Sequence, residues 1–128
     1  MVSVVFQLVL VIVGYLLACA MAWALHELAH YVVHSVHAES VTVGFNRRGP
    51  YTDVVYAPTA PIYAIRLGSI APTLLYGLVS VPILLYYLQS FPIPRFSLVE
   101  WSLVLTPLVI LIAPTGSDLR GFLYAHRL

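Results

Sequence analysis

Between Val2 and Leu25 the chain carries no charge, and its only strongly polar side chains are Ser3 and Gln7. A helix needs about 20 consecutive apolar residues to cross the hydrocarbon of a bilayer, so this run already sets the solvent in which the rest must fold. The composition agrees. Of 128 residues, 61% are hydrophobic and 9% charged, whereas about a quarter of an ordinary soluble domain is charged. A soluble domain of this size buries the smallest share of its surface and could not hide so much apolar area. A cleaved signal peptide is the rival reading of the first run, but it needs a basic n-region and a short h-region. Here no basic residue precedes the run, and the helical pattern continues past it through His37. One transmembrane helix is expected from about Val4 to Val36.

The next section changes character. Ser40 to Phe45 is β-branched and roughly alternating, Asn46-Arg47-Arg48-Gly49-Pro50 is turn chemistry, and Tyr51 to Tyr56 reads as a second strand. This predicts a β-hairpin. A second apolar run, Ile62 to Leu88, contains Pro72 and Pro82, and proline kinks are tolerated in membrane helices. A proline-stiffened turn, Gln89 to Arg95, leads into a third run, Phe96 to Ala113. Pro114-Thr-Gly-Ser117 then breaks the pattern before a short polar tail. The expected fold is an all-α polytopic membrane protein with three transmembrane helices and a short β-hairpin between the first and second, forming one domain over residues 1–128.

Three spans put Arg47, Arg48, Arg66, Arg120 and Arg127 on one side and Arg95 alone on the other. The positive-inside rule makes the arginine-rich side cytoplasmic and leaves the N-terminus outside. A net charge of +1 gives no basic footprint for nucleic acid. Cys19 is the only cysteine, which excludes an internal disulfide and a cysteine-based zinc site.

The chemistry is concentrated in His26-Glu27-Leu28-Ala29-His30, an HExxH motif. Residues i and i+4 lie on one helix face, so both imidazoles can reach one metal ion. Glu27 is turned by about 100° from His26, where a base for a metal-activated water belongs. The motif sits near the cytoplasmic end of an uncharged membrane helix, where ionisable residues are costly and usually functional. The bland alternative is an interfacial cluster that ends the helix among headgroups. Gly14, Ala18 and Ala22 precede His26 at i+4 spacing, a small-residue face that would let another helix approach closely. His34 and His37 fall at about 80° and 20° from His26. They could be ligands, proton relays or headgroup-level residues, and the last is the preferred reading for a helix end in the interface.

A catalytic zinc takes three protein ligands and keeps one open position. The non-histidine candidates are Glu39, Asp53, Glu100 and Asp118. Glu100 falls on the far side of the membrane from His30 in the three-span topology. Asp118 returns to the His30 side, either as a ligand or as the cap of the short last helix.

At this point the chain resembles the site-2 protease superfamily of intramembrane zinc metalloproteases, and most closely its small zincin-peptidase branch. The likeness covers about Gly14 to Phe122. It rests on HExxH near the cytoplasmic end of the first core helix, on Asp118 near the same end of the third, and on Leu67-Gly68-Ser69-Ile70-Ala71-Pro72 in the second. The resemblance implies one zinc ion held by His26, His30 and Asp118, with Glu27 as catalytic acid/base. It also implies that residues 40–56 form membrane-associated β-structure able to receive an extended substrate. Two features depart from the family pattern: Asp118 is followed by Leu119 and not glycine, and no asparagine follows Pro72.

The expected function is therefore hydrolysis of peptide bonds in or near membrane segments of a protein or peptide substrate, by an integral protein of the cell membrane. Arg120 and His34 are candidate stabilisers of the oxyanion. Two other classes compete: a membrane metal-binding or transport protein using the histidine ladder, and a catalytically silent zincin-like scaffold. The first would need more polar residues in the outer half of the bundle than Gln7 and Glu100. The second has no need of an intact Glu27.

Overall fold

The computed structural model describes residues 3–47, 49–91 and 95–125. Arg48, Arg127 and residues 92–94 of the expected turn lie outside them.

Helix α1 runs Val4–His34, with Ser3 as its N-cap accepting the Phe6 N–H at 3.2 Å. Its 31 residues make it roughly 46 Å long, against roughly 30 Å of hydrocarbon in a bilayer. The HExxH end can therefore stand at or beyond the boundary of a span that begins at Val4. The helix stops two residues short of the expected Val36, where the chain turns at Ser35–His37 into the hairpin.

Strands β1 (Ala38–Asn46) and β2 (Gly49–Tyr56) pair antiparallel, with Val43 opposite Thr52 and Asn46 opposite Gly49. The hairpin folds back along α1. Gly49 has φ of +120° and lies against Trp23, whose ring occupies the space a Cβ would need. Along β2 the residues alternate strictly: Pro50, Thr52, Val54 and Tyr56 are half-buried, while Tyr51, Asp53 and Val55 are exposed. One face of β2 is thus turned towards α1.

The second apolar run is two helices, not one kinked span. Helix α2 (Ile62–Ser69) ends at Ile70, and α3 (Ala71–Ser90) starts again with Pro72 in its first turn. Pro72 has no N–H to continue the α2 ladder but suits the start of a helix. Helix α4 (Leu98–Ile112) opens with a capping box in which Ser97 and Glu100 satisfy each other's backbone N–H groups. Helix α5 (Gly116–Tyr124) opens with the same device, built from Thr115 and Asp118. It packs on α2, where Gly121 admits the Ser69 side chain and Arg66 lies over the Phe122 ring at 5.9 Å.

Three stretches are long and apolar enough to cross a membrane: Val4–His34, Ala71–Ser90 and Leu98–Tyr124, the last interrupted after Ile112. Burial is inverted relative to a soluble domain. Among the described residues the buried apolar side chains are small, alanines and Pro72, while His26, Glu27, His30, His34 and Ser69 are buried polar residues. Large apolar side chains such as Leu16, Leu17, Leu78 and Val99 face outwards. The small-residue face of α1 is only partly used. Ala22 is buried, but Gly14 and Ala18 are exposed, and a Cβ on Gly14 would meet nothing within 4 Å.

Candidate metal centre

Two helix breaks, between α2 and α3 and between α4 and α5, converge on α1. The end of α2 brings the Gly68 carbonyl to His30 Nδ1 at 2.7 Å. The end of α4 brings the Leu111 carbonyl to His26 Nδ1 at 3.2 Å. The start of α5 brings Asp118 to both rings, with Oδ1 3.2 Å from His30 Nε2 and Oδ2 3.5 Å from His26 Nε2. The Leu111 carbonyl is available because the residue four along, Thr115, gives its N–H to Asp118 Oδ2 at 2.6 Å. The capping box that starts α5 thus also frees an acceptor for His26.

These partners favour one tautomer of each ring. A carbonyl oxygen only accepts, so each Nδ1 carries the hydrogen and each Nε2 presents a lone pair. The two Nε2 atoms are 3.3 Å apart. With a carboxylate beside them, three acceptors face one another with no hydrogen to share. Such an arrangement is electrostatically unfavourable unless a cation sits among them. Ligand atoms about 2.0–2.1 Å from a tetrahedral zinc are themselves about 3.3 Å apart, close to the separations between these groups. The one ligand atom offered by each residue lies within 4.8 Å of the others. The donor set therefore fits a metal ion.

Asp118 is the acid that joins the histidines. Asp53 points to the exposed face of β2, Glu39 is exposed on β1, and Glu100 caps α4. For Asp118, the capping role does not exclude a place beside the histidines. Thr115 is the N-cap and Asp118 its reciprocal partner, so one carboxylate serves both the helix start and the histidine pair.

Glu27 is buried beside the cluster but outside it. Its carboxylate accepts a hydrogen bond from Thr52 Oγ1 at 2.7 Å, and its backbone carbonyl lies 3.3 Å from the same hydroxyl. Thr52 had no place among the expected site residues. The signal available for it was the alternation of β2, which puts the polar Thr52 and Tyr56 on the face turned to α1.

His34 departs from the headgroup-level expectation. It is buried, its ring stacks on His30 at 5.9 Å between centroids, and its Nδ1 bonds the Tyr56 hydroxyl. Burial pushes the Tyr56 phenol up to about 12, so it stays a neutral hydroxyl over the physiological range. Gly68 makes room for the His34 ring, which fills the space a Cβ would take. His37 is exposed and packs edge-on against Tyr63.

A cavity of ≈ 800 Å³ opens beside the cluster, between Glu27, His30, His34 and Asp118 on one side and the inward face of β2 on the other. Trp23, Val54 and Ile65 give it apolar walls. Arg120 is exposed and does not line it, so it is not positioned to meet an oxyanion there. No family model matches the chain, and no curated protein or solved structure does. The functional reading therefore rests on the chemistry of these residues.

Proposed function

We propose that the protein is an intramembrane zinc metalloprotease of the site-2 protease type, cutting peptide bonds in or near membrane segments of protein substrates. The observation that carries this reading is the set of three mutually facing acceptors, His26 Nε2, His30 Nε2 and the Asp118 carboxylate, with a fourth group, Glu27, buried next to them at the wall of a cavity. A zinc ion held by those three would leave an open position, acidify a coordinated water and polarise the scissile carbonyl. Glu27 takes a proton from the attacking water and returns it to the leaving amine. Thr52 holds the Glu27 carboxylate in one orientation for both transfers. Strand β2 belongs to a two-stranded sheet and so has an unpaired edge, which supports main-chain pairing with an extended substrate. The apolar cavity walls suit a substrate drawn from the bilayer.

The chain is read as an integral membrane protein with its N-terminus outside and its active site towards the cytoplasm. Arg47, Arg66 and Arg120 belong to the segments at the site end, whereas Arg95 lies between α3 and α4 at the other.

The test is hydrolysis of a pool of single-span peptides in bicelles, followed by mass spectrometry. Cleavage is expected at positions near the membrane boundary, lost on chelation and restored by zinc. A zinc-loaded chain that cuts no member of the pool would leave a metal-binding membrane protein and no protease.

Thr52→Val keeps the shape of the side chain and removes its hydroxyl. A well-placed general base is worth about 10²–10⁴-fold, and loosening it should lower kcat by roughly 10-fold while zinc content is unchanged. Thr52→Ser should recover most of the rate. Equal rates for the Val and Ser variants would take Thr52 out of the mechanism.

A further inference from the structure

The partner of His30 Nδ1 is set at a helix break outside the His26, His30 and Asp118 cluster. Gly68 lies at the end of α2, and in a continuous helix its carbonyl would accept the N–H of the residue four along. That residue is Pro72, which has no N–H. The helix breaks at Ile70, whose N–H is shared between the Arg66 and Gly68 carbonyls, and the Gly68 carbonyl also accepts from His30 Nδ1 at 2.7 Å in a buried contact. A hydrogen on His30 Nε2 would instead face two acceptors, Asp118 Oδ1 at 3.2 Å and His26 Nε2 at 3.3 Å. The two choices have opposite consequences. A hydrogen on Nδ1 leaves the Nε2 lone pair facing His26 and Asp118, and a hydrogen on Nε2 blocks it. Pro72 is itself among the fully buried side chains, packed where α3 begins.

We propose that Pro72 is a positioning residue of the metal centre: by withholding a backbone N–H it reserves the Gly68 carbonyl for His30 Nδ1–H and keeps His30 Nε2 free for the ion. This inference rests on the metal reading above. With alanine at position 72, the new N–H competes for the Gly68 carbonyl and draws it back towards the helix axis. The carbonyl has two lone pairs, so the His30 bond is weakened and not abolished. Part of the His30 population then moves its hydrogen to Nε2, towards Asp118. Loss of such an outer partner typically lowers metal affinity by 10–100-fold.

The experiment has two readouts on detergent-solubilised protein. The first is zinc affinity by competition with a chromophoric chelator, for the wild type, Pro72→Ala and Pro82→Ala. The second is the His30 tautomer in metal-free protein, from long-range 1H–15N spectra of 15N-histidine-labelled chains. Pro72→Ala should bind zinc at least about 10-fold more weakly and show an Nε2–H population on His30. Pro82→Ala, in the middle of α3, should match the wild type in both. If Pro72→Ala does not fold, replacing Ser69 by its α-hydroxy acid weakens the Gly68 carbonyl as an acceptor and leaves Pro72 in place. The same two changes are then expected. Wild-type affinity together with an unchanged Nδ1–H tautomer, in whichever of these variants folds, overturns the proposal. Absence of zinc binding in the wild-type chain would instead overturn the metal reading, and the claim about Pro72 with it.

Discussion

Glu27→Gln should reduce peptide-bond hydrolysis by at least about 10²–10⁴-fold, the usual worth of a general acid–base group, while the purified variant keeps close to one zinc per chain. The separation follows from where Glu27 sits. It is adjacent to His26 in sequence but is not one of the three clustered residues, and its carboxylate is engaged by Thr52 Oγ1 at 2.7 Å. Glutamine has the same shape, and its amide oxygen can accept the same hydrogen bond, so the hairpin contact should survive. What the amide cannot do is take a proton from water near neutral pH. Zinc content measured beside activity on one preparation separates the possible outcomes. Loss of zinc would make Glu27 a ligand and shift the open position elsewhere. Undiminished hydrolysis would remove Glu27, and with it the proposed mechanism.

The parts of this architecture that could be read along the chain are those set by local pattern. Long apolar runs mark helices long and apolar enough to cross a membrane, and the alternation of Ser40 to Phe45 and Tyr51 to Tyr56 marks a hairpin. The i, i+4 pair His26 and His30 shares a face in any α-helix. The rest depends on tertiary geometry that spacing does not carry. Hydropathy alone does not separate a proline kink from a helix break, so α2 and α3 read as one run although the chain stops at Ile70. His34 looked like a headgroup residue because it lies near the helix end. Its burial comes from Tyr56 and Gly68, 22 and 34 positions further on. Thr52 reaches Glu27 across 25 positions only because the hairpin lies back along α1. The choice posed for Asp118 between ligand and cap assumed one task per carboxylate. Two oxygens allow both: Oδ2 receives the Thr115 N–H, and Oδ1 faces His30.

That double use makes Asp118→Asn the sharpest test of the metal centre. Asparagine keeps an acceptor oxygen for the Thr115 N–H, so the start of α5 should persist, and its packing on α2 through Gly121 and Arg66 is untouched. Capping interactions contribute only about 1 kcal/mol in any case, so the fold should be nearly as stable as the wild type. The metal site should not survive as well. A neutral amide oxygen is a poor substitute for a carboxylate on a divalent ion, and two imidazoles alone leave zinc short of the three protein ligands a catalytic site employs. Zinc affinity should fall by more than about 100-fold, beyond the range for loss of an outer partner. Asp53→Asn and Glu39→Gln, which alter exposed acids of the hairpin, should leave it unchanged. Competition titrations on the three variants, with helix content followed by circular dichroism, decide the matter. Retention of wild-type zinc affinity by Asp118→Asn would reduce Asp118 to its part in the α5 capping box. The cation that the facing His26 and His30 nitrogens call for would then need its third ligand from elsewhere, and Asp53 on the hairpin would be the first acid to test.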